Sequence, residues 1–226
     1  MLGAVIFDFD GVITDSEILH FRAFNKVLAG HGLELTKKEY YSAYLGLSDK
    51  DCYKALIAEG RLDIKPSQIA ELIQRKTRLF EELARTDGKV IEGVRPFLDL
   101  LGSNAVPMAI CSGALRAEIE LILEDSGLRD FFKAIVSAEQ VKRGKPHPDG
   151  FLLTLKKLNQ RLSTPLAAEQ CVVIEDSHWG LQAAQAAGMH TIAVTNTYDA
   201  EQLTDAEKVV DRLDRLTLTD LKQLCR

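Results

Sequence analysis

The 226-residue sequence predicts an α/β fold: a doubly wound parallel sheet with an inserted all-helical segment. Two observations carry this prediction. From about residue 90 onward, short apolar runs of strand length alternate with stretches of helical periodicity. Between about residues 15 and 88, helix signals follow one another without a strand between them. The predicted fold class is therefore a Rossmann-like α/β core, formed by residues 1–14 and 89–226, with a helical cap domain at residues 15–88.

The first strand and the residues after it are the most informative part of the chain. Ala4 to Phe7 is an unbroken apolar run, which suits a strand buried on both faces of a parallel sheet. Asp8 and Asp10 follow at the predicted strand end, and on a continuing strand they would point the same way. Because two unpaired carboxylates would repel each other and be costly to bury, this spacing indicates a divalent cation or a shared proton. Gly11 allows a sharp turn there.

The insert is predicted to contain four helices. Asp15 or Ser16 can cap the first of them. Thr36 begins a capping box for the second, and Ser48 is a weaker cap for the third. Ser67 opens a long fourth helix. The apolar stripe of that helix consists of Ile69, Leu72, Ile73, Phe80 and Leu83.

After the insert, the sequence returns to alternating strands and helices. Four further apolar runs of strand length stand at residues 107–111, 134–136, 171–174 and 191–194. Helical periodicity lies between these runs, and Gly127 and Gly188 end two of the predicted helices. The pattern is typical of a parallel sheet covered by helices.

Composition and charge restrict the class of partner. A net charge of −5 and a pI near 5.6 give no general attraction to nucleic acid or acidic membranes, so we expect a small-molecule partner. The four cysteines lack paired spacing, which favours reduced thiols over disulfides or a zinc site. No apolar run approaches membrane-spanning length, and no basic leader precedes the first strand. We therefore expect a cytoplasmic protein, and because no feature marks an interface, a monomer is the simplest expectation.

Polar residues follow several predicted strands at the point where each strand ends. They are Asp8 and Asp10 after the first strand, Ser112 and Gly113 after the second, Lys145 in the loop after the third, and Glu175 and Asp176 after the fourth. The carboxyl ends of parallel strands open on one edge of a sheet, where ligands bind. Segments that are far apart in the sequence are thus predicted to converge on one site.

The residue types in this group suit phosphoryl transfer assisted by a metal ion. Mg²⁺ prefers carboxylate oxygens together with water and a phosphate oxygen. Ser112 and the backbone N–H groups of Gly113 and Ala114 can bind the oxygens of a phosphoryl group. Lys145 can neutralise charge on that group during its transfer. One aspartate can attack phosphorus while the other moves a proton, which divides the transfer into two steps.

Four motifs, in this order, carry a resemblance to a known family. They are Asp8-Phe9-Asp10-Gly11-Val12, Ile110-Cys111-Ser112-Gly113, Gly144-Lys145-Pro146-His147-Pro148-Asp149 and Val173-Ile174-Glu175-Asp176-Ser177. With these motifs the chain resembles the haloacid dehalogenase superfamily of phosphotransferases, in the subgroup whose helical cap follows the first strand. Within that subgroup it is similar to the phosphatases related to β-phosphoglucomutase, and the likeness extends over essentially the whole chain.

The resemblance implies a role for each matched residue. It makes Asp8 the nucleophile that forms an aspartyl-phosphate, and Asp10 the general acid and base that first protonates the leaving alcohol and then activates water. It implies that Mg²⁺ is held by the Asp8 carboxylate, the Asp10 backbone carbonyl and Asp176, with Glu175 as a further ligand or a neighbour of the ligands. The matched serine and lysine would bind the transferring phosphoryl group.

The cap loop at residues 45–51 departs from the mutase pattern. The lysine and arginine that the mutase has in this loop correspond here to Leu45 and Asp49. A mutase must bind a second phosphate while its intermediate reorients, so the loss of two cations favours net hydrolysis. A sugar-phosphate mutase is the alternative enzyme. A catalytically inactive binding protein is the alternative outside enzymes, and the presence of Asp10 as well as Asp8 argues against it.

Three further residues are candidate substrate contacts. Lys76 lies at the centre of the apolar stripe of the fourth helix, so it either extends to the rim of that stripe or points into the active-site cleft. His20 is either a buried structural histidine or a substrate contact. Arg116 is a second cationic candidate, with a solvated surface arginine as the alternative. The sequence as a whole predicts a Mg²⁺-dependent phosphatase that acts on a small phosphorylated substrate, a sugar phosphate.

Overall fold

The computed structural model describes residues 1–45 and 47–226, which form two compact units. The first unit consists of Met1–Asp15 and Lys89–Arg226, and the second of Ser16–Gly88. The sequence prediction assigned Asp15 to the helical insert, whereas the structure groups it with the first unit. Gly46, which belongs to the cap loop 45–51 discussed above, lies outside the described residues.

A parallel sheet forms the centre of the first unit. Its strands are β1 (Ala4–Phe7), β2 (Met108–Cys111), β3 (Phe132–Val136), β4 (Cys171–Glu175), β5 (His190–Val194) and β6 (Lys208–Val210). Their spatial order is β3-β2-β1-β4-β5-β6, and every neighbouring pair is parallel. The strand order reverses at β1, between β2 and β4, which is the place where ligands bind in sheets of this kind. The predicted doubly wound sheet is confirmed.

The second unit is helical. Its α-helices among the described residues are α1 (Glu17–Ala29), α2 (Lys37–Ala43), α3 (Asp49–Ala58) and α4 (Ile69–Asp87). The predicted capping box is present, because the Thr36 hydroxyl accepts from the Glu39 N–H and the Glu39 carboxylate accepts from the Thr36 N–H. The long helix starts at Ile69 rather than at Ser67, because Pro66–Gln68 forms a turn of 3₁₀ helix before it.

Aromatic and aliphatic side chains hold the second unit together. Phe24 on α1 and Tyr53 on α3 are fully buried, and their ring centroids lie 4.8 Å apart. Leu72 on α4 belongs to the same apolar cluster. Burial of such side chains is worth roughly 1.5–3 kcal/mol each, which exceeds what helix propensity contributes at most positions. The amphipathic pattern of these helices therefore accounts for their association.

Helices cover both faces of the sheet in the first unit. They are α5 (Val94–Ser103), α6 (Arg116–Asp125), α7 (Asp149–Asn159), α8 (His178–Ala186) and α9 (Leu218–Leu224). Phe7 at the end of β1 packs edge-on against Phe97 of α5 and Phe132 of β3, with centroids 6.0 and 5.9 Å apart. The apolar run of β1 is fully buried, as the sequence predicts. In the described part of the chain, no helix has both the length and the apolar character that crossing a membrane requires.

Candidate active site

The first part of the site is the turn that follows β1. The Asp8 N–H donates to the Ile174 carbonyl oxygen of β4 at 2.9 Å, so Asp8 is held against the neighbouring strand. Asp10 comes next, and Gly11 then adopts a φ of +75°. A Cβ atom on Gly11 would lie only 1.8 Å from Oδ2 of Asp176. Glycine therefore suits this position both in backbone conformation and in space.

Three acidic side chains meet at the carboxyl edge of the sheet. Asp8, Glu175 and Asp176 each offer a carboxylate oxygen, and these oxygens lie within 4.8 Å of one another. All three residues are buried. Burial raises the pKa of Asp8 well above its usual value. Burial, with a further contribution from the Glu175 charge, raises the pKa of Asp176 to about 7.

The ammonium group of Lys145 reaches into this cluster. Its Nζ atom lies 2.8 Å from Asp8 Oδ1 and 2.5 Å from Glu175 Oε1. Burial lowers the pKa of Lys145, but the two carboxylates outweigh burial and hold that pKa well above its usual value, so the lysine is charged. Both contacts are buried ion pairs at the carboxyl edge of the sheet.

The charge and the donor atoms of this cluster fit a divalent cation. Three buried carboxylates face one ammonium group, so the ionised cluster carries an excess of negative charge. Buried charge that is not compensated is costly. Carboxylate oxygens are hard donors of the kind that Mg²⁺ binds. Asp8 and Asp176 are the residues that would hold the ion, beside Glu175.

Glu175 is fixed in place by its own loop. Its Oε2 atom accepts hydrogen bonds from the N–H groups of Asp176 and Ser177, at 3.1 and 3.2 Å, and from the Ser177 hydroxyl at 2.9 Å. Its other carboxylate oxygen faces Lys145. A Cβ atom on Gly180 would lie 1.8 Å from the carboxyl carbon of Glu175. The arrangement suits a residue that orients Lys145 and adds negative charge to the cluster.

Ser112 joins the group from the end of β2. Its N–H donates to the Val136 carbonyl oxygen at 3.0 Å, and its hydroxyl lies 3.3 Å from Oδ2 of Asp10 as a donor. The Ala114 N–H donates to the Ser112 hydroxyl oxygen at 2.9 Å. That amide is therefore engaged by the local turn, contrary to the expectation that it faces a ligand, because serine hydroxyls accept from amides two residues ahead.

A cavity of about 340 Å³ adjoins these residues. Ser112, Gly113 and Lys145 line it, together with Cys111 and Phe151. A Cβ atom on Gly113 would meet nothing within 4 Å, so the space beside this glycine is open. The hydroxyl and the ammonium group that the sequence assigns to a phosphoryl group thus border a shared space of the size of a small ligand.

Lys76 and His20 lie in the second unit, where they contact each other. Lys76 is buried, and its Nζ atom lies 2.9 Å from Asp49 Oδ1 and 2.6 Å from Nδ1 of His20. The His20 ring stacks on Phe80 with centroids 4.1 Å apart. Burial, with Lys76 adding to the effect, holds the pKa of His20 well below its usual value, so the neutral ring accepts the hydrogen bond. Substrate contact by either residue stays a prediction.

Arg116 is engaged within the first unit. Its guanidinium group donates to the Glu120 carboxylate and to the Ile135 carbonyl oxygen, the latter at 3.0 Å. Its backbone N–H donates to Glu139 at 3.0 Å. Glu120 lies within α6, Ile135 on β3 and Glu139 just after β3, and none of them is a member of the acidic cluster. A role for Arg116 in substrate binding stays a prediction.

Two site residues after β5 are absent from the sequence prediction. The Thr197 hydroxyl donates to Oδ2 of Asp176, and the Asn196 side-chain amide donates to the Gly11 carbonyl oxygen at 2.7 Å. Both residues are uncharged, and neither belongs to one of the four motifs. Their position after a strand of the parallel sheet is the signal that could have identified them.

The fold is a doubly wound parallel sheet, and buried carboxylates, a charged lysine and a serine lie at its carboxyl edge. This fold and this site place the chain among enzymes of the α/β fold class. Residues 5–194 match the model of the haloacid dehalogenase-like hydrolase family. Because the match spans more than half of the chain, the chain belongs to this family. The resemblance read from the four motifs is thereby confirmed.

Similar proteins whose names state an activity indicate which reaction class this enzyme belongs to. The chain is 33% identical over 197 residues to fructose-1-phosphate phosphatase YqaB of Escherichia coli (strain K12), covering 84% of this chain and 95% of that protein. It is 33% identical over 159 residues to the chloroplastic 5-amino-6-(5-phospho-D-ribitylamino)uracil phosphatase of Arabidopsis thaliana, covering 70% of this chain and 41% of that protein. The crystal structure of CbbY from Rhodobacter sphaeroides in complex with phosphate has a TM-score of 0.85 at 26% identity, covering 98% of this chain and 100% of that one. The family match and the phosphatases among the relatives identify this chain as a phosphoric monoester hydrolase.

Proposed function

We propose that the chain is a Mg²⁺-dependent phosphatase that hydrolyses a small sugar phosphate through an aspartyl-phosphate on Asp8. The observation that carries the proposal is the meeting of Asp8, Glu175, Asp176 and Lys145 in one buried cluster at the carboxyl edge of the sheet. When bound there, Mg²⁺ would neutralise charge on the transferring phosphoryl group and keep the attacking carboxylate ionised.

In the first step, a carboxylate oxygen of Asp8 forms a bond to phosphorus while the bond from phosphorus to the substrate oxygen breaks. The Asp10 carboxyl group gives its proton to that oxygen, so that the product leaves as an alcohol. In the second step, Asp10 takes a proton from water, whose oxygen attacks phosphorus and releases inorganic phosphate from Asp8. Asp10 is protonated again at the end, and the cycle restarts.

Ser112 and Lys145 are the proposed ligands of the phosphoryl oxygens. Lys145 already pairs with Asp8, so a positive charge stands next to the proposed nucleophile. The Ser112 hydroxyl lies 3.3 Å from the Asp10 carboxylate, so the proposed phosphoryl ligand and the proposed acid and base are neighbours. Electrostatic stabilisation by such preorganised donors is a large contribution to catalysis in phosphoryl transfer.

The substrate class rests on the relatives and on the cap sequence. The two phosphatases named above act, by their names, on compounds in which a polyhydroxylated carbon chain carries the phosphate. Asp49 and Leu45 stand where a mutase carries two cations, which supports net hydrolysis. We assign the helical unit Ser16–Gly88 to a cap domain that contributes substrate contacts, with Lys76 and His20 as candidates and Arg116 as the candidate from the core.

A cytoplasmic location is part of the proposal. The cysteines Cys52, Cys111, Cys171 and Cys225 are free and buried. Buried free thiols are the usual state in a reducing compartment.

A panel of sugar phosphates and one aryl phosphate tests the function. With Mg²⁺, the wild type should release inorganic phosphate from at least one sugar phosphate. Release should stop in EDTA, and it should fall by roughly a thousandfold or more in Asp8→Asn. Asp99→Asn, which changes an exposed acid on α5, is the matched control and should keep full activity. Formation of an isomer without free phosphate would instead identify a mutase, and turnover that survives Asp8→Asn would contradict the covalent route.

A further inference from the structure

The loop after β5 makes hydrogen bonds to two parts of the site. Thr197 donates its hydroxyl hydrogen to Oδ2 of Asp176. Asn196 donates its side-chain amide to the carbonyl oxygen of Gly11 at 2.7 Å. The loop itself is anchored, because the Thr195 N–H donates to the Val210 carbonyl oxygen of β6 at 3.0 Å. These hydrogen bonds link the loop after β5 to the residues that follow β1 and β4.

We propose that Thr197 is a positioning residue, which holds the Asp176 carboxylate in the orientation that binds the divalent cation. The inference rests on the proposed function, and it assigns a role to a residue outside the four sequence motifs. Asn196 would act in the same way on the turn at Gly11, through its hydrogen bond to the Gly11 carbonyl oxygen.

Packing around the carboxylate supports this role. The place where a Cβ of Gly11 would stand is 1.8 Å from Oδ2 of Asp176 and 2.9 Å from the hydroxyl oxygen of Thr197. Three chain segments therefore meet at one carboxylate oxygen. The carboxylate is buried, whereas Thr197 is exposed at the edge of the site. An exposed residue, Thr197, thus donates a hydrogen bond to the buried Asp176 carboxylate, which has little contact with solvent.

The hydroxyl group of a threonine suits this task. A neutral hydroxyl group fixes one oxygen and leaves the net charge unchanged. Partners that orient metal ligands in this way are worth roughly 10–100-fold in metal affinity or activity.

The test is the Mg²⁺ affinity of the full chain in the absence of substrate, measured by titration calorimetry. Thr197→Val keeps the shape of the side chain and removes the hydroxyl group, and the dissociation constant for Mg²⁺ should rise about 10–100-fold. Thr197→Ser restores the hydroxyl group and should bind Mg²⁺ as the wild type does. Thr197→Ser, which keeps the donor to the buried carboxylate, should also unfold at the wild-type temperature in EDTA.

Thr204→Val is the matched control, since it removes a hydroxyl group from an exposed position in the same part of the chain and should leave Mg²⁺ affinity unchanged. Wild-type affinity in Thr197→Val, or equal weakening in Thr197→Ser, would overturn the inference while leaving the proposed function intact. A wild-type chain that binds no Mg²⁺, or one whose Mg²⁺ binding survives Asp176→Asn, would instead remove the proposed metal site itself.

Discussion

Gly180 supports the site by having no side chain. It stands in the first turn of α8, directly against Glu175, and a Cβ atom there would overlap the whole carboxyl group at 1.8 to 2.1 Å. Glu175 cannot easily move away from such a Cβ atom, because its carboxylate is held by its own loop and by Lys145. The position of Lys145 beside Asp8 therefore depends on a glycine that takes no part in the chemistry.

Gly180→Ala should lower both stability and turnover. Forcing a methyl group into a packed interior costs about 1–3 kcal/mol, partly offset by the better helix propensity of alanine. Urea unfolding and steady-state phosphate release measure the two effects. Gly102→Ala is the control, because a Cβ atom there would meet Phe131 and Met108 at 3.8 to 4.0 Å, which is ordinary contact; turnover should stay at the wild-type value and stability should not fall. Unchanged stability and turnover in Gly180→Ala would show that Glu175 can move freely.

Asp10→Asn should separate the two chemical steps. Without a proton donor and base, turnover of a sugar phosphate should fall by about 10²–10⁴-fold. An aryl phosphate has a leaving group that needs little protonation, so its first step should persist while hydrolysis of the aspartyl-phosphate stalls. Rapid-quench measurement of the aryl alcohol should then show a burst close to one equivalent per enzyme, followed by slow turnover. A linear time course without a burst would contradict the assigned role of Asp10.

At the residue scale, the sequence could predict the groups that carry charge. Asp8, Asp176 and Lys145 follow buried strands, and charged residues at such places are conspicuous because burying them is costly. Thr197 could not be found in the same way, since a threonine after a strand is common. The ion pair between Arg116 and Glu120 differs, because residues four apart on a helix lie side by side and the spacing could have been recognised in the sequence.

At the scale of secondary structure, Asp220 connects helix α9 to the edge strand β6. The Asp220 carboxylate contacts Nζ of Lys208 on β6 at 2.8 Å and accepts from the Thr217 hydroxyl and N–H groups that cap α9. The pKa of Asp220 lies well below its usual range. Lys208 is the largest cause, and the two Thr217 donors are the next. The ionised carboxylate is therefore the form that stabilises the fold.

This arrangement predicts a pH-dependent contribution to stability. A carboxyl group whose folded pKa lies below its unfolded value of about 3.9 stabilises the fold above that pH, and the contribution is lost as the pH falls through the folded pKa. Asp220→Asn should therefore lower the melting temperature at neutral pH, and its difference from the wild type should shrink as the pH is lowered below about 4. Asp99→Asn serves as the control. A difference that stays constant or grows in acid would contradict this reading.

The central strands could be predicted from the sequence, whereas several outer elements could not. The runs that became β1, β2, β4 and β5 are continuous and apolar because both faces of a central strand are buried. Edge strand β6 has only three residues, all half-buried, and gives no such run. The start of α4 was misplaced by two residues because a serine after a proline reads as a helix cap, although the chain there forms a 3₁₀ turn.

At the scale of the whole molecule, a divalent cation should act as a stabilising ligand. The buried carboxylates repel one another in the folded state, and an ion that binds only the folded chain shifts the unfolding equilibrium. At a Mg²⁺ concentration 100 times the dissociation constant, the gain should be about 2.7 kcal/mol. Thermal unfolding with and without Mg²⁺ measures it. Asp176→Asn should abolish most of the shift, and an equal shift in that variant would place the ion elsewhere.

The central claim is that Asp8 carries the phosphoryl group during turnover. The most direct measurement is the mass of the Asp10→Asn protein after it has reacted with an aryl phosphate in the presence of Mg²⁺, followed by peptide mapping. We predict a gain of one phosphoryl group, located on Asp8 and absent from the double variant Asp8→Asn/Asp10→Asn. A phosphoryl group on any other residue, or product release without labelling of the protein, would contradict the account.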